Sequence, residues 1–178
     1  MFEYAYNKKI TIQNLEKELD VISKEMRKLN LQMGFFEFVI YVISELLANI
    51  KEHAKINEAS VILKMDKQKC SISITDKGVG LKRPYLLKQI YVKDDFAAIE
   101  LALSGLSTKN LRERGFGLYS IRKFTEELGG KMTVESGSAK ALIQKNKINF
   151  QYLKNEFHGV AIKIETTVKK TDFYKIIA

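Results

Sequence analysis

The stretch Ile72-Ser73-Ile74-Thr75-Asp76-Lys77-Gly78-Val79-Gly80-Leu81 decides how the rest of the chain is read. Apolar residues at 72 and 74 alternate with polar ones at 71, 73 and 75, the two-residue period of a half-buried strand. That strand delivers Asp76 at its carboxyl end, where a carboxylate can accept a hydrogen bond from an exocyclic amine such as adenine N6. Gly78 and Gly80 let the backbone take positive φ and approach a flat base without a Cβ clash. Asp-x-Gly is also ordinary turn chemistry, so the stretch by itself leaves a base pocket and a plain turn both open.

Working outward, 60–66 and 69–76 read as two strands joined by a short turn at Lys67-Gln68. Upstream, apolar residues at 12, 15, 19, 22, 26 and 29 predict an amphipathic helix over 11–30, and Gly34 permits a break. The next helix, 35–54, is apolar almost all round and is therefore expected to be buried. Downstream, short helices are expected over 84–92 and 95–103, then a polar, glycine-containing loop over 104–114. A helix over 115–128 is stopped by Gly129-Gly130. Strands are expected at 131–135, about 147–152 and 160–166, with 138–158 an insertion or a hairpin. One proline and no Ser/Gly-rich linker leave no internal boundary, so 1–178 reads as one domain with a helical extension at 1–33.

A hydrophobic fraction of 46% with 29% charged residues is that of an ordinary globular chain able to bury a core. No apolar run approaches the ~20 residues that span a bilayer, and Met1-Phe2-Glu3-Tyr4-Ala5-Tyr6 lacks the basic-then-hydrophobic pattern of a leader. The expectation is a cytoplasmic protein with no membrane association. Cys70 is the single cysteine; it falls on the apolar side of its strand with Ile72 and Ile74 and reads as a core residue. The net charge of +9 would suit nucleic acid, an acidic protein or a phosphate-rich ligand. Most of the cations are scattered, however, and no aromatic-interleaved basic stripe accompanies them, which argues against nucleic acid.

Inside the apolar helix 35–54, Tyr41, Glu45, Asn49 and His53 recur every fourth residue and form one polar stripe. A solvated face would explain polarity, but such faces usually carry several Lys and Glu, and this one holds a single Glu and an amide at its middle. A buried charge needs something polar opposite. Mg²⁺ with phosphates would satisfy it: Asn49 offers an amide oxygen as a hard ligand, and Glu45 can orient or deprotonate an attacking group. His53 reads most simply as a satisfied histidine near the helix end.

The third constellation runs from Gly105-Leu106-Ser107-Thr108-Lys109 through Arg112-Glu113-Arg114 to Gly115-Phe116-Gly117-Leu118. A loop with three cations leads into two glycines at a helix start, where free N–H groups and the helix dipole favour an anion. A reader of an amine, a Glu/Asn pair on a buried helix and a phosphate-binding loop are three different parts of one ATP·Mg²⁺ site.

In these residues the chain resembles the Bergerat-fold (GHKL) ATPases, which include gyrase, Hsp90, histidine kinases and MutL. Glu45-Leu46-Leu47-Ala48-Asn49 resembles the family's N box, Asp76-Lys77-Gly78-Val79-Gly80 its first glycine box, and Gly115-Phe116-Gly117-Leu118 its second. The likeness runs from about 36 to 136, and Gly159-Val160-Ala161-Ile162-Lys163-Ile164-Glu165 is similar to the closing strand. The resemblance implies an α+β fold, a two-layer α/β sandwich with a mixed sheet covered on one face by helices. It implies that ATP and Mg²⁺ bind, under a mobile lid formed by roughly 93–114. Asp76 would bind adenine, Asn49 would bind the metal and Glu45 would be the catalytic base. Gly78, Gly80, Ser107, Thr108, Lys109, Arg114, Gly115, Gly117 and Leu118 would line the nucleotide.

Ser107-Thr108-Lys109 followed by Arg114-Gly115-Phe116-Gly117-Leu118 looks more like the kinase branch, and the compact layout resembles histidine-kinase catalytic domains and anti-sigma-factor serine kinases. The only histidines are His53 and His158, so the helix at 11–30 offers no phosphoacceptor of its own. The second glycine box is also shorter than that of many kinases. The expectation is transfer of phosphate to a separate protein substrate or regulated partner, with a homodimer left open. A non-catalytic, ATP-responsive binding module and an ATP hydrolase are the alternatives.

Overall fold

The computed structural model describes residues 3–105 and 117–173. Five strands form one sheet in the order β1-β2-β3-β5-β4. They are β1 (Tyr4–Thr11), β2 (Glu58–Met65), β3 (Lys69–Thr75), β4 (Lys131–Gln144) and β5 (Lys147–Thr167). Helices α1 (Leu15–Arg27), α2 (Phe35–Asn49), α3 (Lys82–Leu87), α4 (Asp95–Ser104) and α5 (Gly117–Glu127) complete the described elements. All four strand pairings are antiparallel. The two-layer α/β sandwich expected from the resemblance is therefore present, but its sheet is antiparallel rather than mixed.

Alternation in the strands sets the inner face. Ala59, Val61, Leu63 and Met65 of β2, and Cys70, Ile72 and Ile74 of β3, point into the core, while Ser60, Ile62, Ser71 and Ser73 are only partly covered. The helix layer closes this face with Ile22 and Met26 of α1, Phe35, Phe38, Val39, Val42, Ile43, Leu46 and Leu47 of α2, and Ile121 and Phe124 of α5. Cys70 lies in that core, and burial pushes its thiol up to about 12. Between β2 and β3, Asp66 Oδ1 accepts the N–H groups of Gln68 and Lys69, both at 2.8 Å, which pins the expected turn.

The structure departs from the sequence reading at two elements and decides a third. Residues 4–11 form an edge strand paired along its length with β2, and the helix expected over 11–30 begins only at Leu15. Residues 12–14 make one 3-10 turn, so the N-terminal segment is built into the sheet rather than set beside it. The helix expected over 35–54 is α-helical to Asn49 and then widens into a π turn, Ile50–Ala54, ended by Lys55 in the left-handed region at φ 55°. Of the two readings open for 138–158, the hairpin is the one present: β4 and β5 run on through it and close on Lys145 and Asn146, both at positive φ (52° and 59°). Such a two-residue turn favours Asn and Gly, and a lysine at its first position left the turn without that signature.

Two register breaks, between Ser136 and Gly137 and between Gly137 and Ala139, bend this hairpin. Gly137 sits at φ 59°, and a Cβ there would overlap the Asp95 carboxylate. That carboxylate, at the start of α4, accepts both the backbone N–H (2.8 Å) and the hydroxyl (2.9 Å) of Ser138. The hairpin is thereby tied to α4, and Ala139, Ala141 and Ile143 reach the core.

Candidate functional site

Asp76 is the residue just past β3, and it is 4% exposed. Its N–H donates to the Val160 carbonyl (2.9 Å), and its Oδ1 accepts the Gly78 N–H (2.7 Å). Burial raises its carboxyl above the usual range, against the pull of backbone N–H groups of Gly78 and Val160. A carboxylate has about four acceptor positions, so these bonds orient Asp76 without saturating it.

The glycines around Asp76 allow backbone to meet backbone. A Cβ on Gly78 would overlap the Ala54 carbonyl and lie 2.6 Å from the Ala54 Cβ. Val79 donates its N–H to that same carbonyl at 3.2 Å. The π turn at the end of α2 is therefore seated directly on the glycine turn after β3, which sets the end of α2 against the segment that follows Asp76. Gly80 takes φ 75°, and a Cβ there would stand 3.0 Å from Ser136 Oγ, which accepts the Leu81 N–H at 3.0 Å. Gly159, at φ 100°, packs on the Asp76 carbonyl, and a Cβ on it would lie 2.8 Å from the Gly78 nitrogen.

The other wall is α5. Phe38 meets Phe124 with ring centroids 5.7 Å apart, and Tyr41 meets Phe124 at 5.8 Å and hydrogen-bonds Ser120. These pairings run antiparallel along the two helices, so the next turns of α2, with Glu45 and Asn49, run toward Gly117 at the start of α5. Gly117 sits at φ 44° with open space where its Cβ would be. Glu45 Oε2 is buried and has no hydrogen-bond partner among the described residues. Burial first, then the Glu45 charge, pushes the Tyr41 hydroxyl above its ordinary value. His53 stands 3.7 Å from Glu52 in the π turn.

A model of the histidine kinase-, DNA gyrase B- and HSP90-like ATPase family matches residues 36–156. The chain belongs to this family. No curated protein matches it. As a domain of this ATPase family it is an ATP-binding unit, and the match begins in α2 and ends within β5, so β1 and α1 lie upstream of it.

The structure places Asp76, Gly78 and Gly80 together at the carboxyl end of β3, Glu45 and Asn49 on α2, and Gly117 and Leu118 at the start of α5. Ser107, Thr108, Lys109, Arg112, Arg114 and Gly115, with most of the expected loop, lie outside the described residues. Ser136, Ser120 and Ala54 were missed by the sequence reading because each joins the site through a contact distant in the chain. Gly159 carried a signal, as the first residue of the segment resembling the family's closing strand.

The residues present fit ATP: a buried, oriented acceptor for an amine, backbone cleared of Cβ atoms beside it, and on α2 a buried carboxylate oxygen with no partner among the described residues. Among the described residues no three His, Cys, Asp or Glu come together as a metal cage. Among the described residues no helix is long and apolar enough to cross a membrane.

Proposed function

We propose that this ATPase-family domain transfers the γ-phosphate of ATP to a separate protein, in the manner of histidine-kinase-like or anti-sigma-type serine kinases. The buried Glu45 Oε2, which has no hydrogen-bond partner among the described residues, carries this reading. A carboxylate oxygen held out of water without a donor is costly, and a module that only bound nucleotide would have no use for it. An incoming hydroxyl or imidazole supplies the missing proton.

Glu45 accepts that proton as the acceptor atom forms its bond to the γ-phosphorus. The bond from phosphorus to the bridging oxygen breaks, and its electron pair leaves with ADP. Mg²⁺, when bound, neutralises charge on the phosphates, and Asn49 is the residue that would hold it. Asp76 fixes the base, and Lys109, Arg112 and Arg114 are the cations assigned to the transferred group.

Single-turnover assays with γ-labelled ATP and Mg²⁺, following label into water and into added acceptor proteins, test the proposal. Glu45→Gln is expected to keep nucleotide affinity and to lower turnover by ~10²–10⁴. Asn49→Ala is expected to weaken Mg²⁺-dependent nucleotide binding as well. Full turnover in Glu45→Gln would withdraw the catalytic role. Bound ATP with label passing neither to water nor to protein would leave a module that acts by contact.

A further inference from the structure

We propose that the surface formed by α3, the α3–α4 connection and the β5 strand of the β4–β5 hairpin docks an acidic, extended segment of a partner protein, which adds as a strand along residues 147–152. This names the kind of partner for the site above and rests on that reading. Between 81 and 93 the chain carries Lys82, Arg83, Lys88 and Lys93 and no acidic residue. None of these four cations meets a carboxylate among the described residues; Lys82 Nζ donates to the Lys93 carbonyl at 3.2 Å. Interleaved with them, Leu87 is 59% exposed and Tyr91 84% exposed. Side chains that large and apolar, set among unpaired cations, suit a partner that is both acidic and hydrophobic.

The hairpin adds backbone to this surface. Phe150 and Tyr152 pair with Ala141 and Ala139 and so share their face, yet Tyr152 remains 80% exposed. Both rings rest edge-on against Phe96 at the start of α4, with centroids 5.7 and 4.6 Å away, directly after the Tyr91–Lys93 segment. β3 pairs with β5 only from Ala161 onward, so among the described residues the backbone of 147–152 bonds to β4 on one side alone. A free edge with exposed aromatic residues is a template for an added strand. Lys147 on that edge repels a basic strand and attracts an acidic one. A second copy of this chain, also at +9, would set one cationic patch against another. Lipid headgroups and nucleic acid could answer the charge, but neither can pair with a backbone edge.

The test is fluorescence anisotropy with a fluorescein-labelled peptide alternating Glu or Asp with Val, Phe and Ile. It is compared with a version bearing Lys at the acidic positions and with one N-methylated at alternate backbone nitrogens. The acidic peptide is expected to bind at least about tenfold more tightly than either, and to protect 147–152 from amide exchange. Tyr152→Ser and Lys88→Glu are each expected to weaken it about tenfold, with ATP affinity unchanged as the control for folding. Equal binding of the three peptides, or tighter binding to phosphatidylglycerol vesicles or single-stranded DNA than to the acidic peptide, overturns the proposal. Glu45→Gln separates the two readings: it should bind the peptide as wild type does, whether or not phosphate transfer is ever observed.

Discussion

Burial holds the Asp76 carboxyl above its ordinary 3.8, and the consequences for folding and for binding have opposite sign. Between the ordinary and the raised value the folded chain binds more protons than the unfolded one, so stability contributed by this group rises as pH falls through that window. At neutral pH the ionised side chain is therefore a burden on the empty fold. Asp76→Asn is expected to leave the melting temperature of the ligand-free protein unchanged or higher, since an amide oxygen can still accept the Gly78 N–H. The same variant should weaken adenine nucleotides at least about tenfold, because a buried hydrogen bond to a charged acceptor is worth ~1.5–3 kcal/mol. Differential scanning and titration calorimetry measure the two effects. Acidification should narrow the gap: the ratio of wild-type affinity for ATP to that of the Asp76→Asn protein is expected to fall as pH drops through the raised Asp76 value, above the range of an ordinary carboxylate. A ratio flat with pH down to about 4, the ordinary carboxylate range, would show that the ionised form is not the acceptor.

At the scale of elements, the site depends on the seating of the α2 π turn on the turn after β3. Gly78 makes that contact possible, since a Cβ there has only the Ala54 backbone and methyl group to displace. Gly78→Ala is expected to cost about 1–3 kcal/mol of stability as overpacking between two backbones. It should also reduce ATP affinity by moving the amide that orients Asp76. Urea unfolding and nucleotide titration check both, and a wild-type affinity in a destabilised Gly78→Ala protein would uncouple the seating from the site. A π turn often marks a functional position; here it delivers the Ala54 carbonyl to Val79 just after the helix has presented Glu45 and Asn49.

Across the whole molecule, the chain closes on itself through its last described residues. Val168 donates to the Gln68 carbonyl at 2.8 Å and Thr171 to the Met33 carbonyl at 3.1 Å. Phe173 then stacks on Phe124, with centroids 5.1 Å apart and planes 11° apart, and meets Tyr41 edge-on at 5.5 Å. The end of the sheet layer thus clasps α2 and α5 below Glu45. Phe173→Ala is expected to cost about 3–5 kcal/mol, as for other buried aromatic truncations. If the clasp also holds the two helices in register, ATP affinity should fall at temperatures where the variant remains folded. Chemical denaturation and calorimetry, both run well below the melting temperature, separate the two losses.

Much of the site was legible in local sequence because its chemistry is local. The alternation ending in Asp76 and the glycines at 78 and 80 depend on chain neighbours, and the stripe from Tyr41 to Asn49 depends only on helical period. The helix layer and the central hairpin followed from the same periodicities, and the order of the three motifs was enough to point to the ATPase family. What tertiary structure alone decided rests on contacts between residues far apart in the chain. Residues 4–11 became a strand because β2 offered an edge, although their pattern is too polar to declare one. The β4–β5 hairpin closed through Lys145 and Asn146 because its cross-strand pairs outweigh an unfavourable turn. Ser136, Ser120 and Ala54 entered the site through packing across the fold, a contribution that no window of neighbouring residues records.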